Sequence, residues 1–560
     1  MQIKQRVFDK QVVSDLVSEG VNPLLASIYA ARGVVFKNEL ETSLAQLIPP
    51  EQLTNAPQMA KLLADAVTKN KKILVIGDYD ADGATATAVA VKGLKSMGAL
   101  VDFLVPNRFE YGYGLTPEIV ALAALQNPDI LITVDNGIAS MDGVAAANLL
   151  GMQVLITDHH LPADVTPAAA CIVNPNQHGC DFASKNLAGV GVMFYVLLAL
   201  RAELRARGAF VAKKEPNLTE LLDLVALGTV ADLVKLDANN RILVEQGLRR
   251  IRANVASAGI VALLKIAGKS PEKVTAQDLG FAVGPRLNAA GRLDDMRLGI
   301  ACLLAETQGD AMQKAQTLHE LNLERRNIEA DMQDSALIAL ENIDVTNQHS
   351  LSIYNADYHQ GVIGILASRL KEKYHRPTIV FADAGDSILK GSGRSIANFH
   401  LRDALDLVTK MHPSLIIKFG GHAMAAGLSI KQGDFAKFQA AFEAVARSLL
   451  TETDLQASIE TDGHLAANEA TLQTAQILAS TAWGQGFAQP VFNDDFNVIS
   501  QRIVGEKHLK LVLEKDQKRF DAIYFNNIET LPEKIHAVYA LDVNEYKGLQ
   551  TLQLQIKHFV

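Results

Sequence analysis

The chain has 560 residues, 49% of them apolar and 21% charged, with 38 glycines and 17 prolines. At roughly 150 residues per domain this is enough for three or four domains with several buried cores, and the composition excludes a disordered, fibrous or small disulfide-bonded protein. The formal charge of −9, from 53 Lys plus Arg against 62 Asp plus Glu, excludes a bulk polycation that coats nucleic acid. It leaves room for a nucleic-acid enzyme whose basic residues gather in one groove.

Three scattered cysteines, Cys171, Cys180 and Cys302, form no CxxC pair, which fits a reducing compartment and excludes a zinc ribbon. The opening MQIKQRVFDKQVVSDL lacks the apolar core of a secretory signal, and Val190 to Leu200 is too short to span a bilayer. A cytoplasmic protein is expected.

Residues 1–60 read as a helical extension of short amphipathic segments without chemistry. From Ile73 the pattern changes. Ile73–Gly77, Ile130–Val134 and Val154–Thr157 are continuous apolar runs, as in strands buried on both faces, with helical stretches at Thr85–Met97 and Met141–Leu150. Alternating strands and helices predict a parallel sheet with functional groups at the strands' carboxyl ends. Residues 302–341 contain no proline, and Leu318, Leu321, Ile328 and Met332 predict one long connecting helix with Arg325 interrupting its stripe. A second α/β unit follows, with strands at Leu351–Tyr354 and Thr378–Phe381 around a helix at Gly361–Tyr374. Near the end, His508–Leu513 and Leu552–Ile556 alternate with period two, the mark of a small antiparallel barrel.

Each of the first three apolar runs ends in acid: Asp78-Tyr79-Asp80-Ala81-Asp82-Gly83, Asp135-Asn136-Gly137 and Asp158-His159-His160. Side by side on a sheet, five carboxylates and two imidazoles converge, and their repulsion forces some to hold protons unless cations intervene. Oxygen and imidazole ligands suit Mn²⁺ and admit Mg²⁺, so the pattern predicts a two-metal hydrolytic site. Two other readings are weaker. An EF-hand loop opening at Asp78 needs Glu at its twelfth position, which is Val89, and a helix rather than a strand before it. An aspartyl-nucleophile phosphatase accounts for Asp80-x-Asp82 but leaves Asp158-His159-His160 unexplained. Any single strand-end Asp also reads as a helix cap or turn residue, so the functional reading rests on the three stretches acting together.

GDYDADGATAT, TVDNG, TDHH and LGTVADLVKL, in that order, resemble the four motifs of the DHH phosphoesterase superfamily. Downstream, GPRLNAAGRL, HQGVIGILASRL, GSGRS and FGGHAMAAG resemble the RecJ branch, and WGQGFAQPVF, VGEKHLKLVL and DAIYFN resemble that branch's OB-fold. The resemblance runs from about residue 70 to the end. It implies an α/β protein, with a DHH parallel-sheet core and a DHHA1 α/β lobe joined by a long helix, plus a C-terminal OB-fold β-barrel. The corresponding boundaries are 61–301 for the DHH catalytic domain, 302–345 for the connecting helix, 346–450 for the DHHA1 substrate-binding domain and 453–560 for the OB-fold.

By position, the resemblance implies Asp80, Asp82, Asp135, His159 and Asp232 as metal ligands, with Asp135 bridging two Mn²⁺ or Mg²⁺ ions and His160 facing the scissile phosphate. Where many members carry His, four residues before the first ligating Asp, this chain has Ile76. Either the ion on that side is held more weakly, or Asp78 contributes directly or through water. For substrate, the resemblance implies Arg108, Ser392 and Arg394 near a 5′-phosphate, Arg286 and His422 at the scissile region, His422 with a catalytic role, and Asn288 as a further substrate-binding residue. Between residues 365 and 430, nine Lys/Arg face five Asp/Glu, a local basic surplus. Taken alone, Gly391–Ser395 reads as a turn or as an anion cradle; the resemblance favours the cradle.

The barrel adds Lys507, His508, Lys510, Phe520, Tyr524 and Phe525 as candidate contacts. Of these, Phe525 is expected in the core, and Trp483 is expected as a packing anchor. The implied activity is a single-stranded-DNA-specific 5′→3′ exonuclease that releases 5′-mononucleotides in DNA recombination and repair. The alternatives are a DHH nanoRNA or cyclic-dinucleotide phosphodiesterase and a catalytically silent DHH scaffold in a replication assembly. Single-strand-binding protein and a RecQ-type helicase are implied as partners by the resemblance alone, no membrane association is expected, and the chain is expected to be a monomer.

Overall fold

The computed structural model describes residues 1–106, 111, 114–340 and 345–560. The chain divides into a larger unit, residues 5–319 with 460–560, and a smaller one, residues 320–459 with 1–4.

In the larger unit, five parallel strands lie in the order Leu100–Leu104, Lys72–Gly77, Ile130–Val134, Gln153–Thr157 and Cys171–Val173. Alternation along a strand sends Leu74, Ile76, Leu131, Val154 and Ile156 to one face, where they meet Ile119, Val120 and Val144. Those three come from the helices Pro117–Ala124 and Met141–Leu149. The helix Ala81–Ser96 packs against the helix Gly189–Ala206 through Gly93, which lies on the Leu197 side chain. The first of these begins at Ala81, four residues before the expected start, because Asp80 caps it by accepting from Gly83 N at 3.0 Å.

The C-terminal region is a closed five-stranded barrel, in the order Phe492–Val504, His508–Lys515, Lys518–Tyr524, Leu549–Phe559 and Lys534–Tyr546. Period two sends Leu509, Leu511 and Leu513 inward. Lys515 continues that series and is neutralised inside by Asp494, 2.7 Å away. Phe520 also points inward and meets Phe496 edge-on, so it is core rather than a platform for bases. Phe525 lies past its strand's end, 40% exposed beside the His508 ring, where a core position was expected.

Residues 1–60 do more than extend the chain. The helix Pro23–Ala30 presents Tyr29 to a stack with Phe487 and Trp483, and Arg32 stands over the Trp483 ring. Arg32 also binds the Asp462 carboxylate with two nitrogens, at 2.6 and 3.0 Å. Trp483 is buried there and donates its indole N–H to Leu478 O, as expected of an anchor.

The smaller unit has its own five-stranded sheet, in the order Lys418–Gly421, Ala425–Lys431, Ile388–Arg394, Thr378–Asp383 and Leu351–Tyr354. The Gly-Ser-Gly-Arg stretch is therefore strand rather than turn. Gly391 and Gly393 are required by packing, since a Cβ at either would stand 2.6 Å from the Phe381 ring or 2.7 Å from Leu401 Cδ2. A single helix runs Gln308–Leu340. Within this unit, Met332, Ala336 and Leu340 share a core with Leu366 and Leu370. Arg325 leaves the helix's apolar stripe to pair with Glu329, which also receives Arg369. Among the described residues no helix is long and apolar enough to cross a membrane.

Candidate functional site

Strand register builds the site. Gly77 lies beside Val134, and Val134 beside Thr157, so Asp78, Asp135 and Asp158 are the next residues of three neighbouring strands. Asp135 turns sharply, at φ +62°, while its N–H still donates to Thr157 O at 3.0 Å. A non-glycine residue in the left-handed region carries strain of about 1–2 kcal/mol, which surrounding contacts must hold in place. Here the start of the helix Gly189–Ala206 presses on Asp135: a Cβ at Gly189 would stand 2.5 Å from Asp135 Cβ.

The same helix start grips Asp82. Gly189 N and Val190 N donate to its two carboxylate oxygens at 2.6 and 3.0 Å, and the positive end of the helix dipole favours the anion. Asp232 sits at the opposite kind of terminus. It follows the last residue of the helix Leu222–Ala231, where the dipole is negative and a cation is favoured. His159 Nε2 lies 3.1 Å from Asp135 Oδ1 and 3.5 Å from Asp232 Oδ2.

Three sets of ligand atoms each lie within 4.8 Å of one another: Asp78, Asp80 and Asp135; Asp82, His159 and Asp232; and Asp135, His159 and His160. Burial and the nearby Asp80 push Asp82 up to about 7. Asp135 and Asp232 are also raised, by burial first and by neighbouring carboxylates second. Crowded buried carboxylates of this kind ionise together only when positive charge joins them, and their oxygens with one imidazole match hard divalent cations such as Mn²⁺ and Mg²⁺. The residues fit the expected ions. Asp78 is within reach, while Ile76 is buried with Leu74 and Ile156 among apolar side chains.

Asp158 does not join the ligand sets. Its oxygens accept from Ile138 N, His159 N, His160 N and His160 Nδ1, at 2.7–3.1 Å. Burial works to raise its pKa, but the hydrogen bond and charge of His160 outweigh it and hold the carboxyl below its usual range. His160 is the other half of this pair. Burial opposes its charge, yet Asp158 prevails and pushes it up to about 9. Asn174 and Asn176 fix the backbone behind the histidines, donating to His160 O at 2.9 Å and His159 O at 2.6 Å. These two asparagines and Gly189 were missed from sequence. Their signals were the Asn174-Pro175-Asn176 cluster after an apolar run, and the Ala188–Gly191 small-residue start of a long apolar helix.

Asn288 accepts from Ala81 N at 2.7 Å, so its amide oxygen holds the loop that carries Asp80 and Asp82. Arg286, on the same helix Gly284–Leu293, donates from Nη1 to Ala282 O and from Nε to His319 Nδ1. The smaller unit brings Ser392 and Arg394 together, 3.3 Å apart, beside Gly364. Burial lowers the pKa of Arg394, and among the described residues no carboxylate pairs with it. His422 follows Gly421, whose φ is +142°, and its N–H donates to Ala425 O. Arg108 lies outside the described residues.

On the barrel, Lys507 is exposed, Lys510 stands 3.7 Å from Asp521, and Tyr524 meets Phe559 edge-on.

Three family models match in order: DHH family, N-terminal domain, at residues 72–229, DHHA1 domain at 347–448 and RecJ OB domain at 461–558. The single-stranded-DNA-specific exonuclease RecJ of Salmonella typhimurium is 49% identical over 548 residues, 95% of each chain. RecJ of Thermus thermophilus, solved in complex with Mn²⁺, superposes with a TM-score of 0.84 at 28% identity, covering 100% of this chain and 80% of that one. The same protein with Mg²⁺ gives a TM-score of 0.78 at 27% identity, covering 100% and 78%. With identity this extensive and all three models in sequence, the chain belongs to the RecJ family.

Proposed function

We propose that this protein is a single-stranded-DNA-specific exonuclease that hydrolyses phosphodiester bonds with divalent metal ions, proceeding 5′→3′ and releasing 5′-mononucleotides in DNA recombination and repair. The observation that carries the reading is the meeting of Asp78, Asp80, Asp82, Asp135, His159 and Asp232 within reach of common ions, in a chain so similar to RecJ proteins. Asp80, Asp82, Asp135, His159 and Asp232 would hold two ions, with Asp135 shared and Asp78 supporting the side that Ile76 leaves apolar. Divalent ions held there supply Lewis acidity to a water and neutralise charge growing on the phosphate oxygens.

The chain's own groups do the rest. Asp158 fixes His160 through Nδ1 and keeps it protonated, which leaves Nε2 to face the phosphate as a cationic donor. On the family resemblance, Arg286 and His422 would approach the scissile region and Asn288 would bind substrate. Arg394 is a half-buried guanidinium beside the Ser392 hydroxyl and, on the family resemblance, would take the terminal 5′-phosphate with Arg108, which would set polarity. The barrel favours a long single strand over a dinucleotide, and a ligand set that departs only at Ile76 argues against a silent scaffold. Single-strand-binding protein and a RecQ-type helicase complete this reading as partners, on family resemblance.

The test is product release with Mn²⁺ from 5′-phosphorylated, 3′-phosphorylated and hairpin-capped oligonucleotides. Mononucleotides from the 5′-phosphorylated strand, and little from the other two, support the proposal. Equal rates on all three overturn it.

A further inference from the structure

One aromatic side chain on the larger unit is exposed where packing does not ask for it. Phe281 is 79% accessible, the most exposed Phe, Tyr or Trp among the described residues. It lies in a π-helical turn, Leu279–Val283, closed by Gly284 N–H donating to Leu279 O. Such five-residue turns recur at functional sites. Leu279 and Val283 are buried, so the turn has an inner side, and Phe281 stands off it.

The turn is pinned beside the metal site. A Cβ at Gly280 would lie 3.1 Å from Val230 Cγ1, and one at Gly284 would lie 3.3 Å from Ala231 Cβ. Val230 and Ala231 immediately precede Asp232. The helix that continues from the turn holds the other side of the site, where Asn288 accepts from Ala81 N and Gly291 lies against the Tyr79 carbonyl. Phe281 is therefore carried by a piece packed between the two chain segments that bear Asp80, Asp82 and Asp232. Five residues on, in the helix Gly284–Leu293, is Arg286, tied back to Ala282 O. Leu233, on the far side of Asp232, is exposed as well.

We propose that Phe281 is a base-stacking platform, seating the base of a single-stranded substrate next to the phosphodiester that is cut. This rests on the nuclease reading above and adds a substrate contact to it. The chemistry suits the occupant. A single strand offers unstacked bases, every base has a π-face, and an aromatic ring accepts all of them without reading sequence. Placed on a turn that packs directly against the end of the helix leading into Asp232, the ring would fix the phosphate's position along the strand.

The experiment uses the full chain and 5′-phosphorylated oligonucleotides in which one abasic residue is moved through successive positions from the 5′ end. Wild type is expected to show a KM raised about 5- to 150-fold when the abasic residue occupies one particular position, the range that stacking on one base represents. Phe281→Ala should lose the same factor on the natural strand and become indifferent to that abasic position, while Phe281→Trp restores both. A 2-aminopurine at that position should be quenched on binding by wild type and by Phe281→Trp, and not by Phe281→Ala. Phe281→Ala that keeps the wild-type preference, or loses equally on natural and abasic strands, overturns the platform while leaving the nuclease standing. Wild type that cuts no single strand removes the nuclease reading and the platform together.

Discussion

Gly189 stands so close to Asp135 that a methyl group at position 189 would overlap the carboxylate, 2.6 Å from its Oδ1. The backbone N–H of the same glycine holds Asp82. One residue therefore sets the spacing between two candidate ligands 53 positions apart. Gly189→Ala must push the helix start away, and overpacking of this kind costs about 1–3 kcal/mol. The expected outcome is Mn²⁺ affinity lowered roughly tenfold, as supporting groups around metal sites typically contribute. Calorimetric titration checks this, and unchanged affinity would show that the helix start is not a positioning element.

Asp135→Ala removes the acid shared by two of the ligand sets. Turnover should vanish while the circular dichroism spectrum stays that of the wild type. The metal-free variant should melt no lower than wild type, because a buried carboxylate repelled by Asp82, Asp80 and Asp232 has been removed. Nuclease activity retained in the purified variant refutes the assignment.

The raised carboxyls predict how pH couples to metal. Asp82 moves from its usual 3.8 to about 7 on folding, and Asp135 and Asp232 move the same way. A group raised by folding stabilises the fold fully below its unfolded pKa, and that contribution is lost as pH rises through the folded value. The metal-free protein should accordingly lose stability from about pH 4 to about pH 7 on account of Asp82, with Asp135 and Asp232 acting in the same direction. Ions that bind the deprotonated form should then raise Tm more at about pH 8 than at about pH 5.5. Thermal melts with and without Mn²⁺ at the two pH values decide it; a shift independent of pH contradicts the account.

The N-terminal helices are predicted to brace the barrel. Asp462 receives Arg32 twice, Arg6 at 3.2 Å and the backbone N–H of Val491. Arg32→Ala leaves this buried carboxylate short of a partner, a loss of about 3–5 kcal/mol where a buried pair is broken. Limited proteolysis should cut between the catalytic sheet and the barrel faster in the variant. An unchanged cleavage pattern would assign the pair no bracing role.

Much of this site was legible because strands buried on both faces announce themselves as unbroken apolar runs, and the residue after each run inherits the register. Asp78, Asp135 and Asp158 are neighbours for that reason alone. Their divergent fates were not legible. Asp158 left the ligand sets because His160 and three backbone N–H groups claimed its oxygens, and those partners depend on a loop conformation that spacing does not encode. Gly189 was hidden for a related reason, since its contacts are with residues 54 and 107 positions away. Phe520 and Phe525 show the limit of period two: alternation places Phe520 inside, but only the strand's end, at Tyr524, decides that Phe525 is released. Gly391 and Gly393 read as turn residues, whereas the bulk of Phe381 and Leu401 requires glycine in mid-strand.

The central claim is that carboxylates and an imidazole from four separate stretches hold divalent ions in common. Calorimetric titration of the metal-free chain with Mn²⁺ tests it directly. Two ions bound per wild-type chain, with binding lost or halved in Asp135→Ala, is the predicted result; no saturable binding, or an identical isotherm for the two proteins, contradicts it.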